Sequence, residues 1–264
     1  MEKALFVLYG AGNNGKTTFL ETIRTVLGDF ALRTPVETLM VRQRGAIPND
    51  VARLRGARFV TANESDEGAR LAEGMIKDLT GGQDMITARF MRKEWFEFKP
   101  ECKIWLGTNH KPIIRGTDNA IWNRIRLIPF TVTIPKEEQD KSLPDKLKAE
   151  SSGILAWGVR GLLLYRQEGL SMPEEVTKAT AEYRQEMDDL QSFIDDRSVI
   201  DSGTSEKTGE LYQAYLKWCD STKEKPIGQK AFGMRLSERG FEPDRTKSSR
   251  LRKGIRLRQF SGDG

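Results

Sequence analysis

The chain has 264 residues, 38% of them hydrophobic and 31% charged, enough to bury a full core in one large domain or one large and one small. Its longest apolar stretch, Gly153 to Tyr165, is interrupted by Arg160 and is too short to span a bilayer, and no cleavable signal pattern precedes the first strand. Two distant cysteines, Cys102 and Cys219, exclude a disulfide framework and point to a reducing compartment, while the single histidine, His110, argues against a histidine metal site.

A buried strand is predicted over Ala4–Tyr9, and the loop Gly10-Ala11-Gly12-Asn13-Asn14-Gly15-Lys16-Thr17-Thr18 follows at once, opening an amphipathic helix that Gly28 can end. This is the strand–loop–helix setting of a Walker A phosphate loop. Its glycines let backbone N–H groups turn inward around phosphates, and the helix start adds its positive dipole end. Lys16 would reach the β- and γ-phosphates of ATP, and the Thr17 hydroxyl would hold Mg²⁺. A glycine-rich turn that binds nothing is the bland alternative, and the loop alone does not separate a kinase from a motor or a switch.

Farther along, a short helix that Asn49 could cap precedes a second strand over Ala57–Asn63. A helix is predicted over Asp66–Leu79, ended by Gly81-Gly82. Asp84–Phe98 alternates apolar and polar residues on both sides of Lys93-Glu94, the pattern of a β-hairpin. Cys102–Thr108 is a third core strand and Arg126–Phe130 a fourth; Pro129 and Pro135 close the α/β region. From Lys136 to about Arg197 the pattern is helical, with Ile154, Leu155, Val159, Leu162 and Leu163 on one face expected to be buried. Ser198–Thr208 reads as a linker, followed by helices at Glu210–Cys219 and Gly228–Arg239 and a basic, strand-like end. Between Lys225 and Phe260 eleven Lys or Arg stand against three acids, a local +8 in a chain of net +5, which leaves −3 for the remainder. That distribution points to a polyanionic partner for the C-terminal module.

A hydrolysing P-loop protein needs an acid at the end of a second strand. Glu64 is the candidate catalytic and metal-holding carboxylate; Asp66 and Glu67 are explained by a helix N-terminus that favours acids. Asn109, after the third strand, is the candidate sensor of the γ-phosphate or attacking water, because its amide both donates and accepts; a turn or capping role is the alternative.

Walker A, Glu64 after its strand, "LTGGQDMITARFMRKEWFEFKP", "LGTNHKP" and "DNAIWNRIRLIPF" together resemble the ordered motifs of superfamily 3 helicases, nearest to phage and plasmid primase-helicases related to the poxvirus enzyme. "GILAWGVRGLLLY", "EYRQEMDDLQSFI" and "LYQAYLKWC" extend the likeness over nearly the whole chain. The resemblance implies an α/β fold: an AAA+-like ATPase core over 1–135, a helical region over 136–200 and a winged-helix DNA-binding module over 205–260. It also implies a homo-oligomeric ring, usually a hexamer, that translocates on single-stranded or forked DNA, with a primase domain or protein as a further partner. The setting would be the cytoplasm of a bacterial host or virus-infected cell.

Carried over residue by residue, the family's channel hairpin places DNA contacts at Arg89, Arg92 and Lys93, without deciding which leads. The arginine finger falls on Arg124, with Arg126 as its rival; on an extended segment the two would share a face. In the C-terminal module Gln229–Arg239 would be the recognition-type helix, with Arg245, Lys247, Arg250, Arg252 and Lys253 on a basic wing. Members of the family usually carry a helical oligomerisation region ahead of Walker A, whereas here Met1 lies just before the first strand. The chain is therefore expected to be either a piece of a longer protein or a reduced helicase. A non-motor nucleotide-controlled initiator or regulator is the competing reading, and a small-molecule kinase a third that no acceptor-binding lid supports.

Overall fold

Strands buried on both faces read as nearly continuous apolar runs, and four such runs organise the N-terminal part of the chain. The computed structural model describes residues 2–41, 49–63, 66–82, 84–116, 118–224, 226–245 and 250–258. Two compact units divide it, Met1–Arg184 and Gln185–Gly264.

The first unit runs β1 (Leu5–Tyr9), α1 (Lys16–Leu27), β2 (Ala31–Arg33), α2 (Asn49–Ala52), β3 (Phe59–Asn63), α3 (Glu73–Gly81), β4 (Ile86–Ala88), β5 (Phe96–Phe98), β6 (Lys103–Thr108), α4 (Asn119–Trp122), β7 (Ile125–Pro129), α5 (Leu143–Ala149), α6 (Ser151–Glu168) and α7 (Glu174–Glu186). Five strands form one parallel sheet in the order β2-β3-β6-β1-β7. Leu5 and Leu8 of β1, Val60 and Ala62 of β3, Ile104 and Leu106 of β6 and Ile125 of β7 are fully buried. On one face Leu8, Leu20 and Phe59 meet Phe6, Phe19 and Trp105; Phe6 stacks on Trp105 with ring centroids 4.2 Å apart. This fastens α1, and with it the loop before α1, to the sheet. Cys102 is buried here, and burial pushes its thiol up to about 11.

Three expectations change. The helix expected from Asp66 begins at Glu73, because the backbone of residues 69–72 is already committed: Ala72 N–H donates to the Leu39 carbonyl, Leu71 N–H to that of Ile113, and Ile113 N–H to that of Ala69. Gly82, at φ 70°, ends the helix as expected. The face of α6 made by Leu155, Val159, Leu162 and Leu163 is about half exposed rather than buried, as are Trp157 and Leu164 on other sides of the helix. No α6 residue is buried, since the helix rests on α1 and α5 and does not insert into the sheet layer. Among the described residues no helix is long and apolar enough to cross a membrane.

The second unit runs α8 (Asp189–Arg197), β8 (Ser198–Lys207), α9 (Thr208–Thr222), α10 (Gln229–Glu238), β9 (Pro243–Arg245) and β10 (Arg250–Leu257). Its antiparallel sheet has the order β8-β10-β9. Leu190, Phe193 and Ile194 of α8 join Leu211, Tyr215, Trp218, Phe232, Leu236 and Ile255 in one core, with Arg239 paired to Asp188 beside it. The stretch Ser198–Lys207, expected as a linker, is therefore a strand. Its linker-like composition sits in an irregularity of the β8–β10 pairing, where Asp201 accepts from Gly203 N–H and Thr204 Oγ1.

Candidate functional site

In open parallel sheets, ligand sites form beyond the carboxyl ends of the strands. Here β1, β6 and β3 end side by side, with Tyr9 level with Thr108 and Asn63 level with Gly107. Loop residues 12–15, the start of α1, Asn63 and Asn109 together line a cleft of about 320 Å³ at that edge.

The loop's turns are glycine-dependent. Gly12 (φ 99°) and Gly15 (φ 83°) lie in the left-handed region, as does Asn13 (φ 47°). Gly10 is required for a different reason: a Cβ there would stand 2.2 Å from the Phe130 carbonyl oxygen. Asn14 Nδ2 donates to that carbonyl at 3.1 Å, tying the loop to the end of β7. Gly15 caps α1 without a side-chain acceptor, which leaves the first-turn N–H groups for an anion.

Lys16 is the buried centre of the cleft, 6% exposed, with Nζ donating to the Gly10 carbonyl (2.7 Å), Asn14 Oδ1 (2.9 Å) and Asn109 Oδ1 (3.0 Å). Burial lowers its pKa, since no carboxylate answers its charge among these partners. A cationic group surrounded by neutral acceptors beside free N–H groups is built to receive an anion. Asn109 is held where it touches Lys16 by Thr108, whose Oγ1 donates to the His110 carbonyl and accepts from His110 N–H. Thr17 is exposed and Thr18 half-buried on the cleft's lining, while Ala11 is exposed and does not line the cleft.

Glu64 lies outside the described residues, so its side chain is not placed. Asn63, which precedes it, is a cleft residue that sequence reading passed over. Its Oδ1 is buried without a hydrogen-bond partner, and Gly107 makes room for it: a Cβ there would lie 3.1 Å from that oxygen. The available signal was its position as the last residue of a core strand on the same edge as Asn109.

Arg124 is not in this cleft. It sits in the turn before β7, where its carbonyl accepts from Leu5 N–H at the start of β1. Five strand residues separate that level from the loop, about 16 Å at the usual rise. Its Nε donates to Thr80 Oγ1 at 3.0 Å and its Nη1 to the Ala120 carbonyl. The expectation that Arg124 and Arg126 share a face fails for this reason: one is in a helical turn and the other in a strand. Arg126 instead folds back on the Asn123 and Ile125 carbonyls.

The expected hairpin forms from β4 and β5, with Ile86 opposite Phe98. Its turn is Phe90–Lys93, closed by Lys93 N–H on the Phe90 carbonyl, with Arg92 at φ 60°. Arg92 and Lys93 are exposed and Arg89 half-buried.

In the second unit a groove of about 1220 Å³ runs between α10 and the β9–β10 strands, with Lys207, Lys230, Arg245 and Arg250 along it. Lys247 lies outside the described residues. Lys253 pairs with Asp244 at 3.3 Å. Arg252 departs from the solvated wing expected of it: it is 8% exposed, and its Nη1 donates to Ser237 Oγ (2.7 Å) and the Phe241 carbonyl (3.1 Å). Arg252→Ala is accordingly expected to cost about 1–3 kcal/mol of stability in urea unfolding, whereas exposed Arg250→Ala stays within about 0.5 kcal/mol.

Three kinds of comparison bear on this geometry. Residues 8–124 match a family model described as a family of unknown function (DUF5906). The chain is 30% identical over 243 residues to a protein named as a putative helicase from Acanthamoeba polyphaga mimivirus, covering 83% of this chain and 25% of that one. A protein of Frog virus 3, also named as a putative helicase, is 27% identical (86% and 26% covered), and one named as a putative primase from African swine fever virus is 25% identical (83% and 25%). The chain thus spans about a quarter of the length of these curated relatives. Among solved structures, the apo A form of the NrS-1 C-terminal region aligns with a TM-score of 0.48 at 14% identity, covering 74% of this chain and 48% of that one.

Proposed function

From the chain's membership in a primase-helicase-like family, with which superfamily 3 is consistent, we propose that it is the ATPase part of a DNA helicase that acts in phage, plasmid or viral replication. The observation that carries this reading is the Lys16–Asn109 contact at the carboxyl edge of the sheet, with Asn63 alongside, in the same unit as a basic hairpin. The loop N–H groups and Lys16 bind the ATP phosphates, and Asn109 leaves its contact with Lys16 to orient the attacking water. Thr17 and Glu64 would hold Mg²⁺, which would supply neutralisation of phosphate charge when bound, and the partnerless Asn63 oxygen is a further polar group lining the same cleft as Thr17.

Arg124, too far from its own loop, serves the nucleotide of a neighbouring copy in a ring, a hexamer by analogy. Arg89, Arg92 and Lys93 take the phosphates of a single strand, and the neighbours' alternating nucleotide states move that strand. The second unit is a winged helix: its α–β–α–α–β–β order and basic groove suit binding to a DNA backbone, with Arg250 as a contact and Arg252 as internal support. Primase activity belongs to a separate domain or protein, and the site of action is the cytoplasm of a bacterial host or an infected cell.

The test is steady-state ATP hydrolysis with and without single-stranded DNA. Stimulation by DNA is expected, with Lys93→Ala keeping the basal rate, losing stimulation and flattening the log K against log salt slope by about 0.7. An unstimulated rate in a confirmed oligomer would overturn the motor. The groove of the second unit favours one competing reading, an ATP-controlled DNA-binding initiator or regulator without strand separation.

A further inference from the structure

The hairpin tip carries more than charge. Its inner side is an aromatic ladder: Phe98 is buried, Phe96 packs on it with centroids 6.0 Å apart, Phe90 stacks on Phe96 at 5.6 Å, and the Arg55 guanidinium lies 5.4 Å over Phe96. That packing fixes the hairpin without using Trp95. The Trp95 indole is 55% exposed, and the Arg89 guanidinium sits 4.6 Å from its ring centroid. Cation–π contact on one face holds the indole in place while about half of the residue's surface meets solvent.

An exposed tryptophan among Arg89, Arg92 and Lys93, with Glu94 the only acid of the tip, has a specific chemical complement. The cations suit a phosphate chain, and a flat, pre-oriented ring suits an unpaired base. We propose that Trp95 stacks on a nucleobase of the strand whose phosphates the tip cations hold, making the hairpin a two-part grip. The inference deepens the single-strand reading above and rests on it. It assigns Arg89 a second task, as the residue that positions the indole. It also gives the grip a component that salt does not weaken, because base stacking has no released counterion.

The experiment compares binding of the full chain to fluorescein-labelled oligo(dT) and to an oligomer of the same length built of abasic sites, which presents the same phosphates without bases. Wild type is expected to prefer oligo(dT) by roughly 5- to 150-fold, the range of one stacked base. Trp95→Ala should lose most of that preference while keeping its affinity for the abasic strand and its salt slope. Trp95→Phe should restore much of it, and Lys93→Ala should weaken both strands alike. Oligo(rU) against abasic RNA gives the same readout for the other nucleic acid. Equal wild-type affinity for both strands, or equal loss on both in Trp95→Ala, would overturn the stacking role and leave the phosphate contacts standing. Failure of wild type to bind either strand would instead overturn the single-strand reading itself.

Discussion

Lys16→Ala is expected to reduce ATP hydrolysis by at least about 10²–10³-fold, the loss typical when one preorganised donor to transition-state charge is removed. The structure adds an expectation about stability. Two of the three acceptors of the Lys16 ammonium, Asn14 and Asn109, line an open cleft where water can replace it, and only the Gly10 carbonyl is left behind them. Burial already disfavours the charged form, so its removal also relieves desolvation. The melting temperature should therefore change by no more than about 4 °C, which for a unit of this size corresponds to roughly 1 kcal/mol. Differential scanning calorimetry beside a coupled ATPase assay separates the two effects. A large loss of both would mean that Lys16 is chiefly structural.

Arg124→Ala should lower hydrolysis by about 10³-fold or more, as arginine fingers do in GTPases. The distinguishing feature is how the loss is repaired. Because Arg124 sits at the opposite end of β1 and β7 from the loop, its contribution is expected from a neighbour. Mixing Arg124→Ala with Lys16→Ala chains then pairs an intact loop in one with an intact arginine in the other, and hydrolysis should exceed the sum of the separate preparations. Arg126→Ala in the same mixture decides between the two arginines: its guanidinium is folded back on the Asn123 and Ile125 carbonyls, so the smaller effect is expected from it. No recovery with either arginine would place the defect within a single chain.

What was legible in the sequence was whatever local chemistry dictates. The glycine-rich loop after β1 needs glycine at positions with positive φ and a strand before it; the hairpin needs alternation about a polar turn. The loop's turns and the hairpin therefore appear where expected. Features that depend on distant partners were not legible. The acids at 66–67 look like a helix start, but residues 69–72 are claimed by backbone partners near 39 and 113. The Asp201–Thr204 stretch has the composition of a linker and becomes an irregular part of a strand only because β10 lies beside it. Arg252 looks like its basic neighbours in sequence, yet Ser237 and the Phe241 carbonyl draw it inside, and Gly233 leaves space for it: a Cβ at Gly233 would lie 3.0 Å from Arg252 Nη2. The α6 stripe predicts where an apolar face lies but not whether anything covers it. Asn63 is set apart by a buried, partnerless oxygen, which depends on the close approach of Gly107 and not on any local pattern.

In the proposed reading, ATP turnover in this chain moves DNA strands apart. Strand displacement on a forked duplex tests it most directly, with wild type assayed in the presence and absence of ATP and Lys16→Ala assayed alongside. Separation by wild type only with ATP, and none by Lys16→Ala, is the predicted result. ATP-dependent binding to the fork by a confirmed wild-type oligomer, with no strand released, would contradict it.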